Sequence, residues 1–266
     1  MKKITILKLT GLLLLSLLLS NNCWAENYTQ DANCQGAWLL DETSGTALDT
    51  SVNNIDATSQ DATINQDGQF GRSYDFSGTT QYVAFGDVID LSGTTISIVA
   101  FVNPDSAAGS NNFRTIIEKG QTSQARENYG LAYGVWATSN SKKLVFEFKT
   151  GTFQSAVSSA DVPTGEWTHV AGTYDGINIR TWIAGSNDGV TPASSNLTAN
   201  ADSLTIGANS DNSVFEFDGR IDEVAIFSDL LTSTEINDIM DNGLVSAAPP
   251  AAVDDSQVFL ISKNVR

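Results

Sequence analysis

Five polar residues, Asp49, Ser51, Asn53, Asn54 and Asp56, stand close together near the start of the chain. Asp carboxylates with Asn and backbone carbonyls are the hard oxygen donors that calcium takes, and a further carboxylate from elsewhere would complete such a shell. The spacing is not that of an EF-hand, which needs Gly where Asn54 stands and a bidentate Glu where Gln60 stands. The same residues also read as an Asx-rich turn whose side chains bind their own backbone. Both readings remain open on sequence alone.

Nucleophilic and zinc chemistry have little to work with. His169 is the sole histidine, and there is no Gly-x-Ser-x-Gly elbow, no His-Glu-x-x-His pair and no cysteine pair in the body of the chain. In Trp167-Thr168-His169-Val170-Ala171 the histidine shares a strand face with Trp167 and Ala171, and a packing role is preferred to a catalytic one.

Sugar recognition needs aromatic rings beside polar groups. Tyr129, Tyr133, Trp136 and Trp182 lie on or near candidate strands, and Tyr133 and Trp136, three apart, face opposite sides of a regular strand. Tyr129, Trp136 and Trp182 are the ligand-binding candidates, whereas Trp38 and Trp167 read as packing. Arg114, Arg126 and Arg180 could pair with an acidic ligand, but the surrounding negative field opposes it. The chain carries 14 Lys+Arg against 31 Asp+Glu, a formal net charge of -17. Such a surface repels phosphates and anionic lipid, so nucleic acid is excluded as a partner.

The elements that must position these residues are mostly strands. From about Gln35 the 266-residue chain alternates β-branched and aromatic runs with Gly, Asn, Asp, Ser and Thr clusters. Strands are predicted over 37–40, 73–76, 82–85, 94–102, 114–118, 129–136, 144–149, 167–174, 177–183, 203–206 and 219–227. Turn chemistry between so many short runs argues an all-β, antiparallel two-sheet sandwich. Asp175-Gly176 is the sharpest hairpin signal. One helix is expected: Thr232 and Glu235 form a capping box, Ile236, Ile239 and Met240 make an apolar stripe, and Gly243 closes the end.

Residues 1–25 read as a cleavable secretory signal, with Lys2, Lys3 and Lys8 before an apolar Leu12–Leu19 run and Ala25 at its end. That run is about half of the roughly 20 residues a membrane span requires, so insertion in a membrane is not expected. Without the three lysines the remainder carries 11 positive against 31 negative charges. Cys23 leaves with the signal, and Cys34 has no intrachain partner. The composition shifts at Ala247-Ala248-Pro249-Pro250, a linker, and the apolar run 257–262 beyond it is too little for a domain. The expected organisation is a signal at 1–25, one sandwich at 31–245, and at 246–266 a linker with the start of a truncated further module.

Three blocks carry a resemblance. Residues 37–45, 49–56 and 70–78 are similar to the first third of a laminin G-like jelly roll of the concanavalin A-like lectin and glucanase superfamily, Gly165–Gly176 resembles its middle hairpin, and 204–207 with 217–227 resemble its end. Pro249-Pro250-Ala251-Ala252-Val253-Asp254-Asp255-Ser256 resembles the opening of cadherin-like, immunoglobulin-type repeats of secreted bacterial proteins, which implies tethering to further extracellular domains. In such jelly rolls a structural calcium often ties the loop after the first strand to the last strand, nominating Asp49, Asn54 and Asp222. Glucanases on this fold place carboxylates at alternate residues of one strand. Asp222 has Arg220 and Val224 as its same-face neighbours and Glu147 has Val145 and Lys149, so no strand supplies that set. The expectation is a secreted, non-catalytic module that binds carbohydrate or an extracellular glycoprotein. A structural or adhesive spacer is the first alternative and a glycan hydrolase, with acids converging from different strands, the second.

Overall fold

A strand buried on both faces must be apolar throughout, and the runs richest in Ile, Val, Phe and Tyr do take the middle of each sheet. The computed structural model describes residues 26–108, 113–120, 128–135, 138, 141–150, 152–210 and 215–245. Contacts gather Glu26–Ala247 into one compact unit.

The first sheet has eight strands. Its order is β13 (Ser186–Pro192), β12 (Asn178–Ile183), β11 (Thr168–Tyr174), β6 (Ile96–Pro104), β15 (Asp218–Phe227), β4 (Arg72–Ser77) and β3 (Thr63–Asp67), and β1 (Cys34–Trp38) also pairs with β15. The second has seven, in the order β10 (Thr152–Val157), β9 (Leu144–Thr150), β8 (Tyr129–Tyr133), β7 (Arg114–Lys119), β14 (Leu204–Ile206), β5 (Val83–Gly86) and β2 (Ser59–Gln60). Neighbouring strands run antiparallel in both sheets.

Side chains from the two facing surfaces meet in one core. Trp38, Phe76, Ile98, Val102, Val170 and Ile221 come from the first sheet, Phe85, Ile117, Leu131, Phe146 and Phe148 from the second. Gly172 on β11 is required by this packing, because a Cβ there would lie 2.3 Å from the Phe146 ring. The result is an antiparallel jelly-roll sandwich. All eleven expected strands are present, and β2, β3, β10 and β13 are additional.

A second, smaller core lies on the opposite face of the first sheet. Val99, Ala171, Ala225 and Phe227 pack there against Ile236 and Ile239 of helix α1 (Ser233–Asn242). Both halves of the Thr232/Glu235 capping box form, and Gly243 at φ 78° ends the helix by donating to the Ile239 carbonyl. Cys34 is free and fully buried in this layer, and burial pushes its thiol up to about 12. Among the described residues no helix is long and apolar enough to cross a membrane.

Candidate functional site

Alternation along a strand sends every second side chain of β6, β11 and β15 away from the main core. On β6 these are Val99, Phe101 and Asn103, on β11 His169 and Ala171, on β15 Arg220 and Asp222. The register sets them in rows. Phe101 stands between His169 of β11 and Asp222 of β15, and Asn103 stands beside Arg220. Helix α1 covers the Val99 row, and its last turn, at Met240, borders the Phe101–His169 row.

An open cleft of about 360 Å³ opens over these rows, and Gln69, Phe101, Glu166, Trp167, His169, Ile183 and Met240 are among its lining residues. Phe101 and His169 are each 2% exposed and form the floor, whereas Gln69 and Glu166 are exposed at the rim. Trp167 is half-buried, and the Arg220 guanidinium lies over its ring 5.4 Å from the centroid. The Phe101 ring is 4.9 Å from that of His169 and 5.3 Å from that of Phe70. Met240, expected as plain packing on the helix stripe, is half-buried and lines the cleft instead.

Buried polar groups are normally satisfied, and those that are not call for an explanation. Both ring nitrogens of His169, Oδ1 of Asp222 and Oδ1 of Asn103 are buried without a hydrogen-bond partner. All three side chains belong to the same two rows. Burial lowers His169 to about 3, so the imidazole is neutral and offers one donor and one acceptor. Burial raises Asp222 to about 8 even though its Oδ2 accepts from the Gln69 and Phe70 amides at 2.8 and 3.0 Å. Glu223 is raised to about 7, again mainly by burial, and its Oε2 accepts from the Leu244 amide at 2.6 Å. The two successive acids can both leave the core because the ladder slips between Asp222 and Ala225 and Glu223 takes a φ of 52°. This surface is a neutral, polar-and-aromatic concavity, suited to hydroxyl groups and C–H faces rather than to charge.

The residues nominated from sequence lie elsewhere. Tyr129 is fully buried and its hydroxyl donates to the Ile89 carbonyl at 2.9 Å, so the ring is core and has no face to offer a ligand. Trp182 is half-buried against the second core, with Nε1 donating to Thr173 Oγ1 at 3.0 Å; its neighbour Ile183 lines the cleft. Trp136 lies outside the described residues.

Asp49, Asn54 and Asp222 are not gathered into one ligand set. Asp49 Oδ1 accepts from the Ala37 and Ser51 amides at 2.9 and 2.8 Å, and Oδ2 from Ser51 Oγ and the Ile55 amide at 2.7 and 2.8 Å. Four protein donors occupy the four lone-pair positions of that carboxylate. Asn54 is exposed and donates to the Val52 carbonyl, while Asp222 serves the Gln69–Phe70 segment. Among the described residues no group of three His, Cys, Asp or Glu is placed to hold a metal. Calcium held jointly by these three residues does not fit, because Asp49 is committed to an Asx turn that ties its loop to β1.

Acids do converge across strands on the second sheet. Glu118 of β7 and Glu147 of β9 are both paired with Gly130 of β8, and an added Gly130 Cβ would lie 3.4 Å from Glu118 Cγ. Both are buried, at 3% and 6% exposure. Asp222 belongs to the other sheet, so it does not join them.

Residues 77–237 match the family model described as the concanavalin A-like lectin/glucanases superfamily. Among solved structures, domain 4 of AbnA, an extracellular arabinanase from Geobacillus stearothermophilus in complex with arabinotriose, superposes with a TM-score of 0.59 at 17% identity, covering 82% of this chain and 99% of that one. The receptor-binding domain of botulinum neurotoxin C/D mosaic serotype matches with a TM-score of 0.59 at 13% identity over 79% of this chain, which spans about half, 51%, of that domain. The ligand-binding domain of botulinum neurotoxin serotype D, in complex with N-acetylneuraminic acid, matches with a TM-score of 0.55 at 13% identity, covering 80% of this chain and 51% of that one. No curated protein sequence matches the chain.

Proposed function

The chain belongs to the concanavalin A-like lectin/glucanase superfamily, and from that premise we propose that it is a secreted, non-catalytic module that binds carbohydrate, free or on an extracellular glycoprotein, in the cleft over Phe101 and His169. The observation that carries this reading is the set of buried, unpartnered polar groups on one surface: His169, Asn103 and Asp222 beside the half-buried Trp167. A sugar's C–H face packs on Trp167 and Met240, and its hydroxyls exchange hydrogen bonds with His169 and Gln69. The ligands of the similar structures lend support only by kind, since arabinotriose and N-acetylneuraminic acid are both sugars.

The secretory signal read at 1–25 places this binding outside the cell, and the linker after the domain makes tethering to further modules part of the same reading. The strongly acidic composition keeps such a module soluble and away from anionic surfaces.

Glycan-array profiling of the full chain tests the proposal. A bound glycan is expected, and Trp167→Ala should weaken it about tenfold, or ~1.4 kcal/mol. Binding untouched by Trp167→Ala would place the site elsewhere on the sandwich.

A further inference from the structure

The cleft is asymmetric in charge in a way that bears on which sugars enter it. Glu166 is the charged residue among its lining, it is exposed, and it sits next to Trp167 at the rim. An acidic ligand would need a cation to offset that carboxylate, and no Lys or Arg is among the cleft's lining residues. The Arg220 guanidinium lies over the Trp167 ring while its Nη1 donates to the Asp67 carbonyl at 3.0 Å. Lys142 donates to Thr164 Oγ1 at 3.3 Å, and Lys143 pairs with Asp161 at 2.7 Å. His169 on the floor is neutral and supplies no positive charge. Beyond the cleft, the net charge of -17 adds a repulsive field for any anion approaching the domain.

We propose that the cleft selects uncharged saccharides and turns away acidic ones such as uronic and sialic acids, with the Glu166 carboxylate at its rim as the residue that sets the preference. This rests on the carbohydrate-binding reading above and narrows it to a substrate class. A carboxylate on the sugar that came within about 4 Å of Glu166 in water would bind roughly fivefold more weakly than its neutral counterpart, and more weakly still where the cleft excludes water.

The test uses the full chain against a panel of matched neutral and acidic oligosaccharides, for example galacto-oligosaccharides against oligogalacturonides and lactose against sialyllactose, at 20 mM and 500 mM NaCl. Neutral members are expected to bind, with their acidic counterparts at least about fivefold weaker at low salt and the gap narrowing at high salt. Glu166→Gln should bring each pair to within about twofold, and Glu166→Asp should keep the gap. Acidic members bound as tightly as neutral ones, or a gap that Glu166→Gln leaves intact, overturn the selectivity while the carbohydrate reading stands. A panel in which nothing binds overturns both, and binding that Trp167→Ala leaves unchanged moves the site off the cleft and overturns the selectivity assigned to Glu166.

Discussion

Replacing Asp222 by Asn should remove most of the fall in stability with rising pH. The folded chain holds the Asp222 proton up to about 8, whereas the unfolded chain releases it near 3.8. Between those values the unfolded state binds fewer protons, so stability falls as pH rises, by up to 1.36 kcal/mol per pH unit. Summed over that interval the loss is on the order of 5 kcal/mol, and at 2–4 °C per kcal/mol for a domain of this size it corresponds to roughly 10–20 °C in Tm. Asn keeps one carbonyl oxygen for the Gln69 and Phe70 amides and puts an NH₂ where the protonated acid already carries an unpartnered O–H, so the two side chains are nearly equivalent at low pH. The variant is therefore about as stable as the parent at pH 4.5 and more stable at pH 8.5, and the two profiles diverge as pH rises. Glu223, raised to about 7, leaves a residual slope of the same sign in both. His169 acts oppositely: its folded value of about 3 means that stability is lost as pH falls below about 6.5, equally in both proteins. Thermal melts of each protein from pH 4 to 9 in chelator-treated buffer provide the assay. Profiles that stay parallel would refute the assignment of the pH dependence to Asp222.

Two further outcomes follow from the geometry. Asp49→Ala strips the Ala37, Ser51 and Ile55 amides of their acceptor and should cost about 3–5 kcal/mol, or roughly 10 °C in Tm, by the same amount with calcium or with chelator; a loss present only when calcium is supplied would restore the metal reading of that loop. Incubation with β-glucans should release no reducing sugar, and hydrolysis that disappears in Glu118→Gln or Glu147→Gln would make the second sheet's acid row an active site and end the non-catalytic reading.

The four strands that composition failed to announce are edge strands: β13 and β3 flank the first sheet, β10 and β2 the second. An edge strand has a neighbour on one side only, and polar or short sequences there discourage pairing with other chains. Ser59–Gln60, Thr63–Asp67 and Ser186–Pro192 accordingly read as turns and loops, and only the ladders set by β5, β4 and β12 reveal them as strands. The central strands, the capping box and the Asp175–Gly176 hairpin were legible because each rests on local chemistry: Asp175 Oδ1 accepts from the Ile177 and Asn178 amides, and Gly176 takes a φ of 85°.

The cleft was not legible for the opposite reason. Trp167 and His169 read as packing because alternation along one strand indicates a face but not which face another element leaves open. It is the register with β6 that puts His169 and Asp222 on either side of Phe101, and the cleft bordered by Gln69, Trp167 and Met240 that opens over Phe101 and His169. The juxtaposition of Glu118 with Glu147 escaped in the same way, since the two share a row and not a strand. Aromatic type alone drew attention to Tyr129, whose strand turns it inward against the Ile89 carbonyl.

The placement of β15 also governs when the domain can form during synthesis. It lies between β6 and β4 and carries β1 as well, so the first sheet is joined through a strand that is among the last to be made. Until residue 227 has emerged, the β3–β4 pair and β1 have no strand joining them to the rest of the first sheet, and contacts such as that of Asp222 with Gln69 span 153 residues. Closing such distant pairs is slow. A chain released early would remain open and protease-sensitive, and a chain led through a membrane pore would stay threadable until almost all of it had passed.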